Sequence, residues 1–302
     1  MSSVLDRRQV RHAFSRFAHQ YSAVSSIQKD VQMRLLESLT LFENFSPNKI
    51  VDVGAGTADA CIHLRKQWPK AIIVAVDQAL PMLQQAKKVG WWRKPIQRVV
   101  GNAQKLPLTD QSVDLLFCNL CLQWIDDLPS TFQEFRRVLR PGGLLLCSTF
   151  GEQTLCELRH AFMAADDHPH VMDFQTMMQF GDALVAAGFH HSVIDREEMQ
   201  HTYQDFYQLL RTIRSMGATN AMHARRKGLT GRQRYSVAAK AYEIYRNIDG
   251  QVFATWEIIY AQAIAPPAGV AMRSHQGDYA AIPIEQIPIR RNAIHSKKNR
   301  SG

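Results

Sequence analysis

The residues best placed for chemistry are carboxylates and glycines at fixed spacing. Asp52, Gly54 and Gly56 stand in "VDVGAGTAD", and Asp77 follows at the end of "AIIVAVD". Gly54 and Gly56 let the backbone turn sharply and come close to a ligand. The dinucleotide fingerprint G-x-G-x-x-G fails, because Asp59 stands where the last glycine belongs. A carboxylate in the first helical turn suits the helix dipole but repels a pyrophosphate. The P-loop pattern fails too, since no Gly-Lys-Ser/Thr follows. What remains is D-x-G-x-G, whose acidic rim suits a ligand with an ammonium and a sulfonium; S-adenosyl-L-methionine carries both. The alternative is a tight turn with no ligand. Asp77 can accept two hydrogen bonds from a ribose diol, and no Arg or Lys follows it at once to hold a 2′-phosphate.

These residues must be positioned by strand-to-helix turns. "KIVDVG" reads as a buried strand carrying Ile50, Val51 and Val53, and "TADACIHLRKQW" as a helix with Thr57 at its N-cap and Ala60, Cys61 and Leu64 on its apolar face. Asp77 and Gln78 close the second strand. "QALPMLQQAKK" opens a helix that places Met82 against a flat adenine or in the core. Asn102 and Ala103 follow a third strand and face the adenine edge. "SVDLLFCN" is a buried fourth strand, with Asn119 and Leu120 at its C-terminal end, where ligands of open α/β sheets bind. "FQEFRRVLRPGGLLLCSTF" gives an amphipathic helix, a Pro-Gly-Gly turn and a fifth strand.

With D-x-G-x-G, Asp77, "GNAQKLPL" and "LRPGG" at these spacings, residues 47–150 resemble a class I S-adenosylmethionine-dependent methyltransferase. The resemblance implies an α/β, Rossmann-like fold: a seven-stranded, mostly parallel sheet, with a helical cap between the last two strands. "FHHSVIDREEM" fits the sixth strand, parallel to the fifth, and "VFATWEIIYAQAIA" the antiparallel seventh. It also implies that Asp52, Gly54, Ala55 and Gly56 hold the methionine end and Asp77 the ribose. Asn102 stands where the family more often has Asp; an amide oxygen can still accept a bond from the adenine amine.

The chain has 302 residues, a net charge of +9, five Cys and 12 His. That length suits one α/β domain with an elaboration. No apolar run approaches the roughly 18–20 residues of a membrane helix. "MSSVLDRRQVRHAF" lacks an apolar secretory core, and the Cys lie mostly within predicted elements, so a cytoplasmic protein is expected. Cys118 and Cys121 form a C-x-x-C without the fold context of a redox pair or a second zinc pair. The His show no ligand spacing, and His168 and His170 are read as surface residues of a loop. No metal is expected.

The charge is unevenly spread. Tyr203–Gly250 holds nine Lys/Arg against three acids, and the tail from Pro266 holds six against two. The first segment lies between the sixth and seventh strands and so covers the mouth of the site. Phe206, Leu209, Leu210 and Ile213 give it a helix that docks by its apolar face, with Arg211 and Arg214 outward. A second helix starts near Thr230. A basic cap implies an anionic partner; it lacks the aromatics of a single-strand platform, so nucleic acid is not expected.

"FSRFAHQYSAVSSIQKDV", a helix pair, "LLRTIRSMGATN" and "YRNIDGQVFATWEIIYAQA" extend the resemblance over about residues 7–265, to the malonyl-acyl carrier protein O-methyltransferases of biotin synthesis. That implies malonyl-acyl carrier protein, an acidic partner, as substrate. It places Tyr21 over the cofactor, Arg16, Arg211 or Arg214 on the malonyl carboxylate, and Gln123 and Trp124 along the acyl channel. Arg211, Arg214, Arg225, Arg226, Lys227 and Arg232 would meet the carrier. The expected organisation is an N-terminal helical segment over the site (1–45), a core (46–200 and 251–265), a basic cap (201–250) and a flexible tail (266–302), acting as a monomer. Rival readings are a non-methylating relative (an assembly factor or protein-arginine hydroxylase), a quinone-type methyltransferase, and a binding module that keeps the cofactor for structure only.

Overall fold

In a computed structural model, residues 5–24, 26–86, 94–218, 220–226, 228, 231–267, 272–274 and 277–279 are described. Helices α1 (Arg7–Val24) and α2 (Ser26–Glu37) precede the first strand, β1 (Lys49–Val53). Then come α3 (Asp59–Gln67), β2 (Ile72–Asp77), α4 (Leu80–Gln84), β3 (Gln97–Val100) and β4 (Val113–Cys118). The chain continues through α5 (Leu128–Val138), β5 (Leu139–Phe150), α6 (Cys156–Met163), α7 (Met177–Ala186) and β6 (His190–Tyr203). Helices α8 (Phe206–Ser215) and α9 (Arg232–Tyr242) lead to β7 (Val252–Ile264). Two short strands, β8 (Met272–Ser274) and β9 (Gly277–Tyr279), pair antiparallel within the segment read from sequence as a flexible tail.

The sheet order is β3-β2-β1-β4-β5-β7-β6. The first five strands run parallel, and β7 pairs antiparallel with both β5 and β6. Ile50, Val51 and Val53 of β1 are all buried, as expected of a parallel strand covered on both faces. The order reverses beside β1: the chain goes outward to β2, then returns across to β4. A crevice therefore opens at the C-terminal ends of β1 and β4.

The Pro-Gly-Gly turn is not separate from β5. Val113 pairs with Leu139, and Leu115 with Leu144, so Arg140–Gly143 loop out within one strand. Gly142 takes the left-handed conformation there (φ 76°). Upstream, Asp127 caps α5 by accepting from the Ser130 amide at 3.1 Å.

The segment between β6 and β7 docks as its pattern demands. Asp205 caps α8 through the Gln208 amide (2.7 Å), Phe206 and Leu209 are buried, and Leu210 and Ile213 pack beside them. Each fully buried Phe or Leu contributes roughly 1.5–3 kcal/mol. The loop after α8 is tied to two other parts of the chain. The Asp6 amide donates to Ala221 O (2.8 Å), Gln9 Nε2 to Asn220 O (3.1 Å), and Asn220 Nδ2 to Pro169 O (2.6 Å). Among the described residues no helix is long and apolar enough to cross a membrane.

Candidate active site

The turn after β1 is shaped by three left-handed residues. Gly54 has φ 72° and Gly56 φ 54°. A Cβ on Gly54 would lie 2.5 Å from Cβ and Sγ of Cys121, so glycine is required there by a protein neighbour as well as by φ. The third, Ala58 (φ 57°), occupies the N-cap position of α3. Thr57 therefore does not cap the helix; its hydroxyl donates to Asp59 Oδ2 at 2.9 Å.

Three carboxylates surround this turn. Asp52 is buried and accepts from the Cys61 thiol at 3.3 Å. Burial, with the nearby charges of Asp77 and Asp59, pushes its pKa up to about 7 despite the Cys61 bond. Asp77 accepts from the Gly56 amide (2.9 Å) and the Ala79 amide (2.7 Å), which fix its carboxylate at the tip of β2. Burial outweighs these bonds and raises its pKa also. Clustered buried acids favour a cationic ligand, which offsets both desolvation and mutual repulsion.

A cleft runs along the β1–β4 crevice on both sides of this turn. Its larger part is lined by Gly54, Gly56, Asp77, Gln78, Met82, Asn102, Ala103, Asn119 and Leu120, with Arg7, Phe14 and Tyr21 from α1. Its smaller part is lined by Asp52, Ala55, Asp59 and Asn119, with Gln28, Lys29 and Gln32 from α2. Tyr21 borders both. Its ring packs edge-on to Phe14 (6.4 Å), and its pKa is raised, first by burial and then by Asp77, so the phenol is neutral at physiological pH. Met82 is buried beside Ala18 and Ala79.

Several of these side chains are held by the protein itself. Asn102 Oδ1 accepts from the Gln104 amide (3.0 Å), so the oxygen read as an adenine acceptor already has one partner. Asn119 donates to Gln28 O (3.0 Å) and accepts from Ser148 Oγ (2.8 Å), tying α2 to the sheet. The Leu120 amide donates to Ser148 O at 3.1 Å in a left-handed conformation (φ 45°).

A second chamber lies behind Trp124, which lines both it and the cleft. Gln123 lines this chamber, along with Phe150, Leu158, Phe174 and Ile213. His170 lines it too. The histidine is not a surface residue: its ring stacks on Phe162 (centroids 4.0 Å apart) and pairs with Asp166 at 2.9 Å.

The cations depart most from their sequence reading. Arg16 is exposed, with its guanidinium 5.7 Å from the Phe17 ring centre, and it lines neither part of the cleft. Arg211, Arg214 and Arg232 are exposed and line neither cleft nor chamber. Arg225 is not free for a partner: it donates to Met222 O (2.7 Å) and meets Asp6 at 3.5 Å. Arg226 is half-buried, and Lys227 and Thr230 lie outside the described residues. Arg7 lines the larger part of the cleft and, like Arg8 and Arg11 on the same helix, is exposed. Helix α1 carries four Arg and no acid. A charge count over that helix alone would have found this surface; averaging it into the near-neutral core hid it.

A family model described as a methyltransferase domain matches residues 51–147. The malonyl-[acyl-carrier protein] O-methyltransferase of Xylella fastidiosa (strain M23) is 50% identical over 291 residues, covering 96% of this chain and 99% of that protein. The chain belongs to the malonyl-[acyl-carrier protein] O-methyltransferase family. Another member, from Gallionella capsiferriformans (strain ES-2), is 38% identical over 269 residues, with 87% of this chain and 92% of that one covered. Among solved structures, the YcgJ protein of Bacillus subtilis shares the fold, with a TM-score of 0.54 at 16% identity over 77% of this chain and 97% of that one. The family's seven-stranded, mostly parallel sheet is thus the sheet expected from sequence.

The cleft suits the methyl donor of this family on one further observation. Gln28 Oε1 is buried without a hydrogen-bond partner in the smaller part of the cleft, while Gln28 Nε2 points to Met216 Sδ (3.6 Å). An unpaired acceptor on a residue that lines the same part of the cleft as Asp52 matches an ammonium donor.

Proposed function

We propose that this chain transfers a methyl group from S-adenosyl-L-methionine to the free carboxylate of malonyl-acyl carrier protein, giving the methyl ester that starts pimeloyl synthesis for biotin. The observation that carries this reading is the acidic cleft at the β1–β4 crevice in a chain so close to its named relatives over nearly its whole length. When bound, the cofactor supplies a methyl group on a positively charged sulfur. Asp77 holds the ribose diol, and Asp52 and Gln28 meet the ammonium. The backbone of Gly54, Ala55 and Gly56 passes beneath the methionine part. Met82, Ala103 and Ile125 flank the adenine, with Gln78 and Asn102 at its polar edges. Asn119 and Leu120 form the floor, and Tyr21 roofs both parts of the cleft.

The acceptor is a carboxylate with a reference pKa near 4, so it is ionised at neutral pH and needs no general base. The work left to the chain is alignment and removal of water. Tyr21, neutral and packed on Phe14, excludes solvent without competing as a nucleophile. Arg7, in the cleft wall, orients the malonyl carboxylate by charge and leaves a lone pair free for in-line attack. The acidic carrier docks on the basic face of α1, at Arg8 and Arg11, extended by Arg211, Arg214 and Arg232 on the cap. Such a surface speeds encounter in a salt-dependent way.

Transfer of radiolabelled methyl to malonyl-carrier, compared with carrier alone and free malonate, tests the reading. Label on malonyl-carrier only is expected. No label on any of the three would favour an assembly or binding role, and equal label on free malonate would favour a small-molecule enzyme.

A further inference from the structure

The chamber behind Trp124 has largely apolar walls. Of the polar residues lining it, His170 pairs with Asp166 and Asn220 donates to Pro169 O, while Trp256 Nε1 is a buried donor on the β7 side. On the β4 side, Gln123 Oε1 and Trp124 Nε1 are buried and have no hydrogen-bond partner. Their orientations are set by other contacts. Gln123 Nε2 donates to Leu120 O at 2.7 Å, which leaves Oε1 as the free end of the amide. The Trp124 ring packs edge-on against Phe14, with centroids 5.4 Å apart at 87°. One unpaired atom accepts and the other donates. Buried polar atoms are rarely left unpaired, and such a pair on adjacent residues marks a place for a group offering both an N–H and a carbonyl. A secondary amide is that group, and methylenes on either side of it suit walls made of Phe150, Leu158, Phe174 and Ile213.

We propose that this chamber receives the amide nearest the thioester in a pantetheine-type arm. The amide N–H donates to Gln123 Oε1, and its carbonyl accepts from Trp124 Nε1–H. The inference rests on the acyl-carrier reading and sharpens it: because Trp124 also walls the cofactor cleft, the arm is gripped next to the reacting end. Among the described residues no Lys, Arg, Asp or Glu lines the chamber, so the phosphate end of the arm stays outside it. Specificity for a carrier-borne malonyl group over a free dicarboxylate then comes partly from the arm and not only from the carrier surface.

The test uses the full chain and two small thioesters. Malonyl-N-acetylcysteamine keeps the amide; malonyl ethyl thioester lacks it. The wild type is expected to prefer the first by about tenfold in kcat/KM, as one or two well-made hydrogen bonds allow. Trp124→Phe, which keeps a ring against Phe14, and Gln123→Met should each bring that ratio toward one. Circular dichroism and cofactor titration establish that the variants fold. A wild type that turns over both thioesters equally overturns the inference, as does a preference that survives in both variants. The first of these results needs no variant to fold. Failure of malonyl-carrier itself to be methylated would instead bring down the proposed function, and this inference with it.

Discussion

Asp52 is the residue whose removal asks most of the site. Its pKa of about 7 arises first from burial, and a bound ammonium favours its ionised form. If the ionised form alone binds the cofactor, apparent affinity scales with the ionised fraction, about 0.09 at pH 6 and about 0.76 at pH 7.5. An α-amino group with pKa near 7.7 falls over the same interval from about 0.98 to about 0.61 protonated, so the dissociation constant should improve about fivefold. Asp52→Asn keeps an oxygen that can accept from Cys61 and should remove the slope. S-adenosylhomocysteine shares the ammonium but not the sulfonium, and should show the same pH dependence. Without cofactor the sign reverses. A carboxyl whose folded pKa lies above its ordinary 3.8 keeps its proton between about pH 4 and 7 while the unfolded chain releases it. Stability contributed by Asp52 thus declines as pH rises through that window, and Asp52→Asn should flatten the decline. Calorimetric titration at pH 6, 6.7 and 7.5, with thermal melts alongside, reads both effects. A wild-type affinity equal at pH 6 and 7.5, or a slope kept intact in Asp52→Asn, would refute the reasoning; the latter would shift the titration to Asp77.

Asp77→Ala should weaken cofactor binding at least tenfold, since hydrogen bonds to a charged group contribute ~1.5–3 kcal/mol each; unchanged affinity by calorimetry would remove the ribose assignment. Gly54→Ala should lower stability by about 1–3 kcal/mol in denaturant titrations, from its φ of 72° and the 2.5 Å approach to Cys121. Cys121→Ala should not rescue it, because Cβ of residue 121 remains in the way. Arg225→Ala should cost about 1 kcal/mol of stability with little change in KM for malonyl-carrier, whereas Arg8→Glu with Arg11→Glu should raise that KM severalfold at low salt and less at high salt. The opposite pattern would return carrier docking to the cap loop.

The sheet was legible because its strands are short runs of Val, Ile and Leu ending in Gly, Asp or Asn, and such runs have few other uses. The cleft at the β1–β4 crevice was legible for the same reason: Asp52, Gly54, Asp77 and Asn119 sit at strand ends, and topology alone brings those ends together. What sequence could not give was the partner of each cation. Arg225 and Arg232 look equivalent in the string, yet Arg225 meets Asp6 across more than two hundred residues, while Arg232 is exposed. Thr57 looks like an N-cap, yet the left-handed Ala58 takes that position and Thr57 serves Asp59. Such outcomes depend on pairings between distant segments, which neither periodicity nor local propensity encodes.

The same long-range pairings explain why the substrate side of the site is not a separate attachment. Helix α1 supplies Phe14 and Tyr21 to the cleft, and Phe14 in turn packs against Trp124, which walls the chamber. A Cβ on Gly217, just after α8, would come within 3.1 Å of the Phe14 ring, so the cap loop approaches α1 as closely as a glycine permits. Asp6, Gln9 and Asn220 then join that loop to both the N-terminal segment and the Pro169 turn. One aromatic, Phe14, thus lies between the cofactor roof, the chamber wall and the cap. Movement of α1 away from α4 would carry Phe14 and Tyr21 together, removing the edge-on contact to Trp124 and the aromatic lining of the cleft in one step. If cleft and chamber take the cofactor and the arm as proposed, this packing couples the two, and Phe14→Ala should weaken both, whereas a change confined to Asp77 should weaken only the first.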